Sequence, residues 1–141
     1  MILNKKDTAV VYIAHCYPSG LVYHMAYLAR ELILLSNSKN AEMYVLSTEQ
    51  EQFKGSWEML RKEIPESKLL IVNDYDVDVE SKIGELFKQY RRVLVHFGGG
   101  HNQLRPFVRL RKRFDKRLIL VATTHSFQHD NWRRIPVSLF Q

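Results

Sequence analysis

The stretch Arg92-Val-Leu-Val-His-Phe97, followed at once by Gly98-Gly-Gly-His-Asn102, decides the fold. A short apolar strand empties into three glycines and a helical segment follows. In an open α/β sheet such glycines let backbone approach a ligand closely, and the next helix presents free N–H groups and partial positive charge to an anion. The same run also fits a tight turn in any α/β domain, so these residues alone leave turn and ligand loop both open.

Reading outward, apolar strands alternate with helices. Ala9 to His15 reads as a buried strand ended by the turn Pro18-Ser19-Gly20. Leu21, Met25, Leu28, Leu32 and Leu35 recur at helical spacing, with Val22, Ala29 and Ile33 widening the stripe, and Ser36 to Asn40 stops the helix. Ala41 to Thr48 is a second strand. Phe53, Trp57, Leu60 and Ile64 mark a second helix that Pro65 closes. Lys68 to Asn73 is a third strand. The acidic stretch Asp74 to Glu80 reads as a loop leading into a helix that carries Ile83, Leu86, Phe87 and Tyr90.

After the fourth strand and the glycines, Leu104, Phe107, Leu110 and Phe114 line one side of a basic helix, where Pro106 is tolerable only in the first turn. Arg117 to Thr124 is the fifth strand. The alternation predicts an open parallel β-sheet with helices on both faces, because right-handed crossovers are nearly obligatory.

The chain of 141 residues is expected to form one domain with a sizeable core. A hydrophobic content of 45% with 26% charged residues is ordinary globular composition and argues against disorder. The one cysteine, Cys16, permits no internal disulfide and fits a reducing compartment; as a nucleophile it has no supporting partner and reads as a small packing residue. No segment reaches the roughly 18 apolar residues of a membrane span, so a cytoplasmic location is expected. A formal net charge of +6 favours an anionic partner: nucleic acid, a phosphate-bearing substrate or an anionic lipid surface. The apolar Ile135 to Phe140 stops at Gln141 without a cap or tail, so the chain is expected to be part of a longer protein, with a second module or the rest of this one missing.

Ligands of open parallel sheets bind beyond the carboxyl ends of the strands, where the strand order reverses. For the order 3-2-1-4-5 that crevice lies between the first and fourth strands. The loops Cys16 to Gly20 and Gly98 to Asn102 then face one another, beside Thr123-Thr-His-Ser126. Five of the six histidines lie at or beyond a predicted strand's carboxyl end, only His24 being on a helix. His15 and His96 read as satisfied inner-face residues, whereas His125 comes where the chain must surface, and an imidazole there can donate to sugar hydroxyls or phosphate, or exchange a proton.

His125 and His129 lack a carboxylate or thiolate cluster, so no metal site is expected. The first loop offers only Gly20, not Gly-x-Gly-x-x-Gly, and there is no Walker sequence, which argues against dinucleotide and P-loop sites. Arg105, Arg109, Arg111, Lys112, Arg113, Lys116 and Arg117 crowd one segment, opposed only by Asp115. A solvated outer face ranks first for them, then an anionic membrane surface, then nucleic acid, since no base-stacking aromatics interleave.

Strand Val10 to His15, the turn Tyr17-Pro-Ser-Gly20, helix Val22 to Glu31, Val95-His-Phe-Gly98 and Val121-Ala-Thr-Thr-His125, in this order and spacing, resemble a family 4 glycosyltransferase. The resemblance runs from Val10 to His125. It implies the N-terminal, acceptor-side Rossmann-like domain of a two-domain GT-B enzyme that is retaining and transfers a sugar from a nucleotide donor to a glycan or lipid-linked acceptor. It further implies that Ser19 and Gly20 contact the donor diphosphate, that His125 contacts the transferred sugar as the catalytic residue, and that Gly98, Gly99, Gly100, His101 and Asn102 line the acceptor side of the crevice. No cofactor besides the nucleotide-sugar substrate is implied. Many members carry a pair of glycines where this chain has Ser19-Gly20, and the donor-binding C-terminal domain is not among these residues, so this chain alone is expected not to turn over a nucleotide sugar. The competing expectations are a non-enzymatic basic module that binds an anionic membrane or a protein partner, and a small phosphate-ligand enzyme of flavodoxin-like fold that uses Gly98 to Gly100.

Overall fold

The computed structural model describes residues 6–14, 20–36, 41–48, 54–97 and 104–122. Strands β1 (Lys6–Ile13), β2 (Ala41–Thr48), β3 (Leu69–Val72), β4 (Tyr90–Phe97) and β5 (Leu118–Ala122) form a parallel sheet in the order β3-β2-β1-β4-β5. Between them run α1 (Gly20–Ser36), α2 (Lys54–Glu63), α3 (Tyr75–Gln89) and α4 (Arg105–Phe114). Short 3₁₀ turns, Glu66–Lys68 and Asp115–Arg117, lead into β3 and β5. This is the Rossmann-like α/β architecture, and its strand order is the one for which the crevice falls between β1 and β4.

The period-2 alternation of each strand divides the core into two layers. Ala9, Val11 and Ile13 of β1, Leu46 of β2 and Val93, Val95 and Phe97 of β4 pack with Ile83 and Phe87 of α3 and Phe107 and Leu110 of α4. On the opposite face Tyr12, Met43 and Val45 pack with Ala26, Ala29 and Ile33 of α1 and Leu60 of α2. Burying each such large side chain stabilises the fold by about 1.5–3 kcal/mol. An ion pair ties the two helices of this second layer, Arg30 Nη1 lying 3.1 Å from Glu63 Oε2.

Three elements differ from the sequence reading. The acidic run is no loop: α3 begins at Tyr75, because Asp74 caps it, accepting from the amides of Asp76 at 3.0 Å and Val77 at 3.2 Å. The Asp78 carboxylate in turn accepts from the amides of Asn73 and Asp74, both at 3.0 Å. Carboxylates there satisfy orphan amides and complement the helix dipole. Tyr90 opens β4 rather than extending α3, its backbone extended at φ −117° and ψ 149°. On α1 the buried stripe runs through Ala26, Ala29 and Ile33. Leu35, expected on that stripe, is 63% exposed, because small alanines let the helix approach the sheet along their own side.

Candidate functional site

β1 pairs with β2 on one side and β4 on the other, so the chain winds outward in both directions from their boundary. That boundary is the topological switch point, and crevices open there beyond the strands' carboxyl ends. Ile13 registers with Phe97 and Phe97 with Ala122, so β1, β4 and β5 end level with one another. The segments 15–19 and 98–103 and the chain after Ala122 therefore leave from three adjacent strand ends. Gly20 is the first residue of α1. Ser19, Gly98, Gly99, Gly100, His101, Asn102 and His125 lie outside the described residues, as does Cys16.

The floor under these exits is apolar and packed. Phe97, the last residue of β4, meets Phe107 of α4 edge to face at 4.9 Å, and both are buried. On the α1 side of the sheet, Tyr12 and His96 are register partners with rings 5.2 Å apart in an edge-on arrangement. Burial pushes the Tyr12 phenol above its ordinary range. His96 is half-buried on this inner face, one residue short of the strand end. The sequence reading missed Ser47 and Thr48, which are buried at the carboxyl end of β2. The signal available was two small polar residues closing a strand directly after the apolar run Met43 to Leu46.

Helix starts give the crevice its electrostatic character. Among the α-helices of the described residues, α3 alone carries acids in its first turn, Asp76 and Asp78, and its amides are taken by Asp74. The two that start beside the switch point, α1 after β1 and α4 after β4, have no acid in the first turn. Leu104 caps α4 without a side-chain hydrogen bond, and Pro106 lies in the first turn as its ring requires. Amide-rich helix starts without their own carboxylates favour an anion by about 0.3–1 kcal/mol each.

The basic segment divides in space. Arg105 lies 3.6 Å from Asp76, and Arg109 pairs with Glu80 at 2.7 Å while donating to the Asp76 carbonyl at 3.1 Å. The Glu80 carboxylate lifts the Arg109 guanidinium above its ordinary value. Arg111 folds back onto the end of its own helix, donating to the carbonyls of Asp115 at 3.0 Å and of Leu118. Lys112, Arg113 and Lys116 point outward, and none of them pairs with an acid among the described residues.

At the other end of the sheet, away from the crevice, lies a dense polar cluster. The Glu42 carboxylate is met by Lys6, by Lys68 Nζ at 3.0 Å and by the hydroxyls of Tyr90 at 2.7 Å and Tyr44 at 3.2 Å. The hydrogen bond from Lys6, followed by those from Tyr90 and Lys68, holds the Glu42 carboxyl at about 2 against the opposing effect of burial. Burial, with Tyr44 and Glu42 beside it, pushes the Tyr90 phenol well up. No group of three histidines, cysteines or acids suited to a metal occurs among the described residues. No helix of the described residues is long and apolar enough to cross a membrane.

No family model matches the chain. Nor does any curated protein. Among solved structures the chain is similar to a crystal structure of glucose-6-phosphate 1-dehydrogenase from Mycobacterium avium, at 14% identity and a TM-score of 0.49. The match covers 89% of this chain and 31% of that one.

Proposed function

We propose that this chain is the N-terminal, acceptor-side domain of a retaining nucleotide-sugar-dependent glycosyltransferase that acts on a glycan or lipid-linked acceptor. The observation that carries the reading is the switch point between β1 and β4, flanked by the acid-free starts of α1 and α4. A donor diphosphate is the kind of anion such a crevice favours, since backbone amides and helix dipoles stabilise it and neither helix carries an acid of its own in its first turn. On this reading Ser19 and the amide of Gly20 contact that diphosphate. His125, three residues past the end of β5, donates to the transferred sugar as the catalytic residue. Gly98 to Asn102 line the acceptor side. The nucleotide pocket belongs to a second, donor-binding domain of the full enzyme, so this chain supplies half of the site.

Calorimetric titration of these 141 residues with uridine and guanosine diphosphate sugars tests the division of labour. Affinity no tighter than about 1 mM is expected, because a half-site yields only about 4 kcal/mol. Dissociation constants in the low micromolar range would overturn it in favour of a self-sufficient phosphate-ligand enzyme. In the two-domain enzyme, His125→Ala is expected to lower kcat/KM on the order of a hundredfold, the loss typical of one donor aimed at developing charge. Undiminished transfer by that variant would remove His125 from the site.

A further inference from the structure

Residues 85–92 and 111–117 hold eight of the chain's 21 lysines and arginines and two of its 15 acids. Far apart in sequence, the two segments are joined in space. Arg117 Nε donates to the Arg91 carbonyl at 2.9 Å, and its Nη2 reaches the carbonyls of Phe87 and Tyr90 at 3.4 and 3.3 Å. Phe87 and Phe114 stack at 3.9 Å beneath it. Val93 registers with Leu118, so the residues just before them stand side by side. The carboxyl ends of α3 and α4 and the amino ends of β4 and β5 thus compose one end-face of the sheet, opposite the crevice.

Its charges are uneven in partnership. Lys88 pairs with Glu85 at 2.6 Å, and Arg91 lies 4.0 Å from Asp7. Arg92, Lys112, Arg113 and Lys116 are exposed or solvent-facing and meet no acid among the described residues. The outer stripe of α4 nearer the crevice differs, because Asp76 and Glu80 neutralise Arg105 and Arg109 there.

We infer that this end-face docks the protein on an anionic phospholipid surface. Two observations favour a bilayer over a nucleic acid. The charges spread over the ends of four elements, which suits a plane of headgroups. The rings among them, Phe87 and Phe114, are stacked on each other with the Arg117 guanidinium 5.0 Å over Phe87, so neither is offered to a base. The exposed large apolar side chains among the described residues all lie outside these two segments, on α1, α3, α4 and, in Ile119 and Val121, on β5, so attraction here is electrostatic rather than by insertion. The crevice then faces away from the bilayer, which on the transferase reading leaves a glycan, rather than a lipid-linked acceptor, in its reach. The inference does not rest on the transferase reading, and neither test decides the other.

Vesicle co-sedimentation of the full chain tests it. Binding to phosphatidylcholine vesicles containing about 30% phosphatidylglycerol is expected at about 50 mM salt, with release at about 500 mM, where screening shortens the reach of each charge to a few ångströms. Pure phosphatidylcholine should not bind. Replacing Arg92, Arg113 and Lys116 together by alanine is expected to weaken partitioning roughly a hundredfold, each charge being worth about fivefold. Arg105→Ala with Arg109→Ala, which removes neutralised charges, should cost less than about threefold. Unchanged circular dichroism establishes that each variant is folded. Absence of binding to anionic vesicles, equal binding to neutral ones, or equal losses in the two variants would overturn the inference. Displacement from vesicles by single-stranded RNA at equal phosphate concentration would replace the lipid as occupant.

Discussion

Glu42 shows how much one residue can organise. It stands on β2, one residue after the strand begins, yet it gathers Lys6 from β1, Tyr90 from β4 and Lys68 from the turn before β3. Tyr90 also meets the Tyr44 hydroxyl at 2.7 Å, and the Lys68 ammonium lies 5.0 Å over the Tyr44 ring. The Lys6 side chain is 65% exposed, so solvent screens its share and the partly buried Tyr90 and Lys68 contacts matter more. Because the folded carboxyl sits at about 2, below its ordinary value of 4.5, its contribution to stability is complete above about pH 4.5 and fades as pH falls towards 2. Glu42→Gln is expected to cost about 1–3 kcal/mol at neutral pH, as hydrogen bonds to charged groups do. The same variant should flatten the acid limb of the stability curve, measured by urea unfolding across pH. Wild type and variant falling in parallel below pH 4.5 would assign that limb to other carboxylates. Nothing in the sequence singled this residue out, since a glutamate at a strand start reads as solvated and its partners come from three other parts of the chain.

At the scale of elements, the helices were legible where a single face carries the signal and obscure where a terminus does. Leu104, Phe107 and Leu110 are buried as their spacing predicts, with Phe114 packed at the margin, and Pro106 sits in the first turn of α4. The start of α3 was misread because Asp74, Asp76 and Asp78 look like a loop when counted as charges. In space they are caps and first-turn acids, and a cap is defined by a backbone angle that composition does not carry. Asp74→Ala is therefore expected to destabilise by about 0.5–2 kcal/mol, detectable as a lowered denaturation midpoint with an unchanged slope. A loss of under about 0.2 kcal/mol would mean that Asp78 holds the terminus alone. Similarly, the charge density of α4 suggested one patch, but Asp76 and Glu80 on α3 divide it, and no reading of α4 by itself contains those partners.

For the whole molecule, the alternation of elements and the hand of crossovers made the parallel sheet readable but leave the order of its strands open; 3-2-1-4-5, the order on which the placing of the crevice depends, is the one the sheet adopts. The crevice was legible to a similar depth: that β1, β4 and β5 lie side by side follows from this order, whereas their level ends rest on register, and Ser47 and Thr48 are identifiable as buried only once the layers are in place. That topology has an energetic consequence. The sheet separates the layer containing Ile64 from the layer containing Ile83, both buried and with no partner in common. Ile64→Val and Ile83→Val each remove one methylene and are expected to cost about 0.5–1.5 kcal/mol. Because the sheet stands between them, the double variant should lose the sum of the two, with a coupling below about 0.5 kcal/mol. Urea unfolding of the two single variants and the double variant measures that coupling directly. A value above about 1 kcal/mol would mean that strain crosses the strands, and the two layers would then have to be treated as one core, with the switch point sensitive to packing on either side of it.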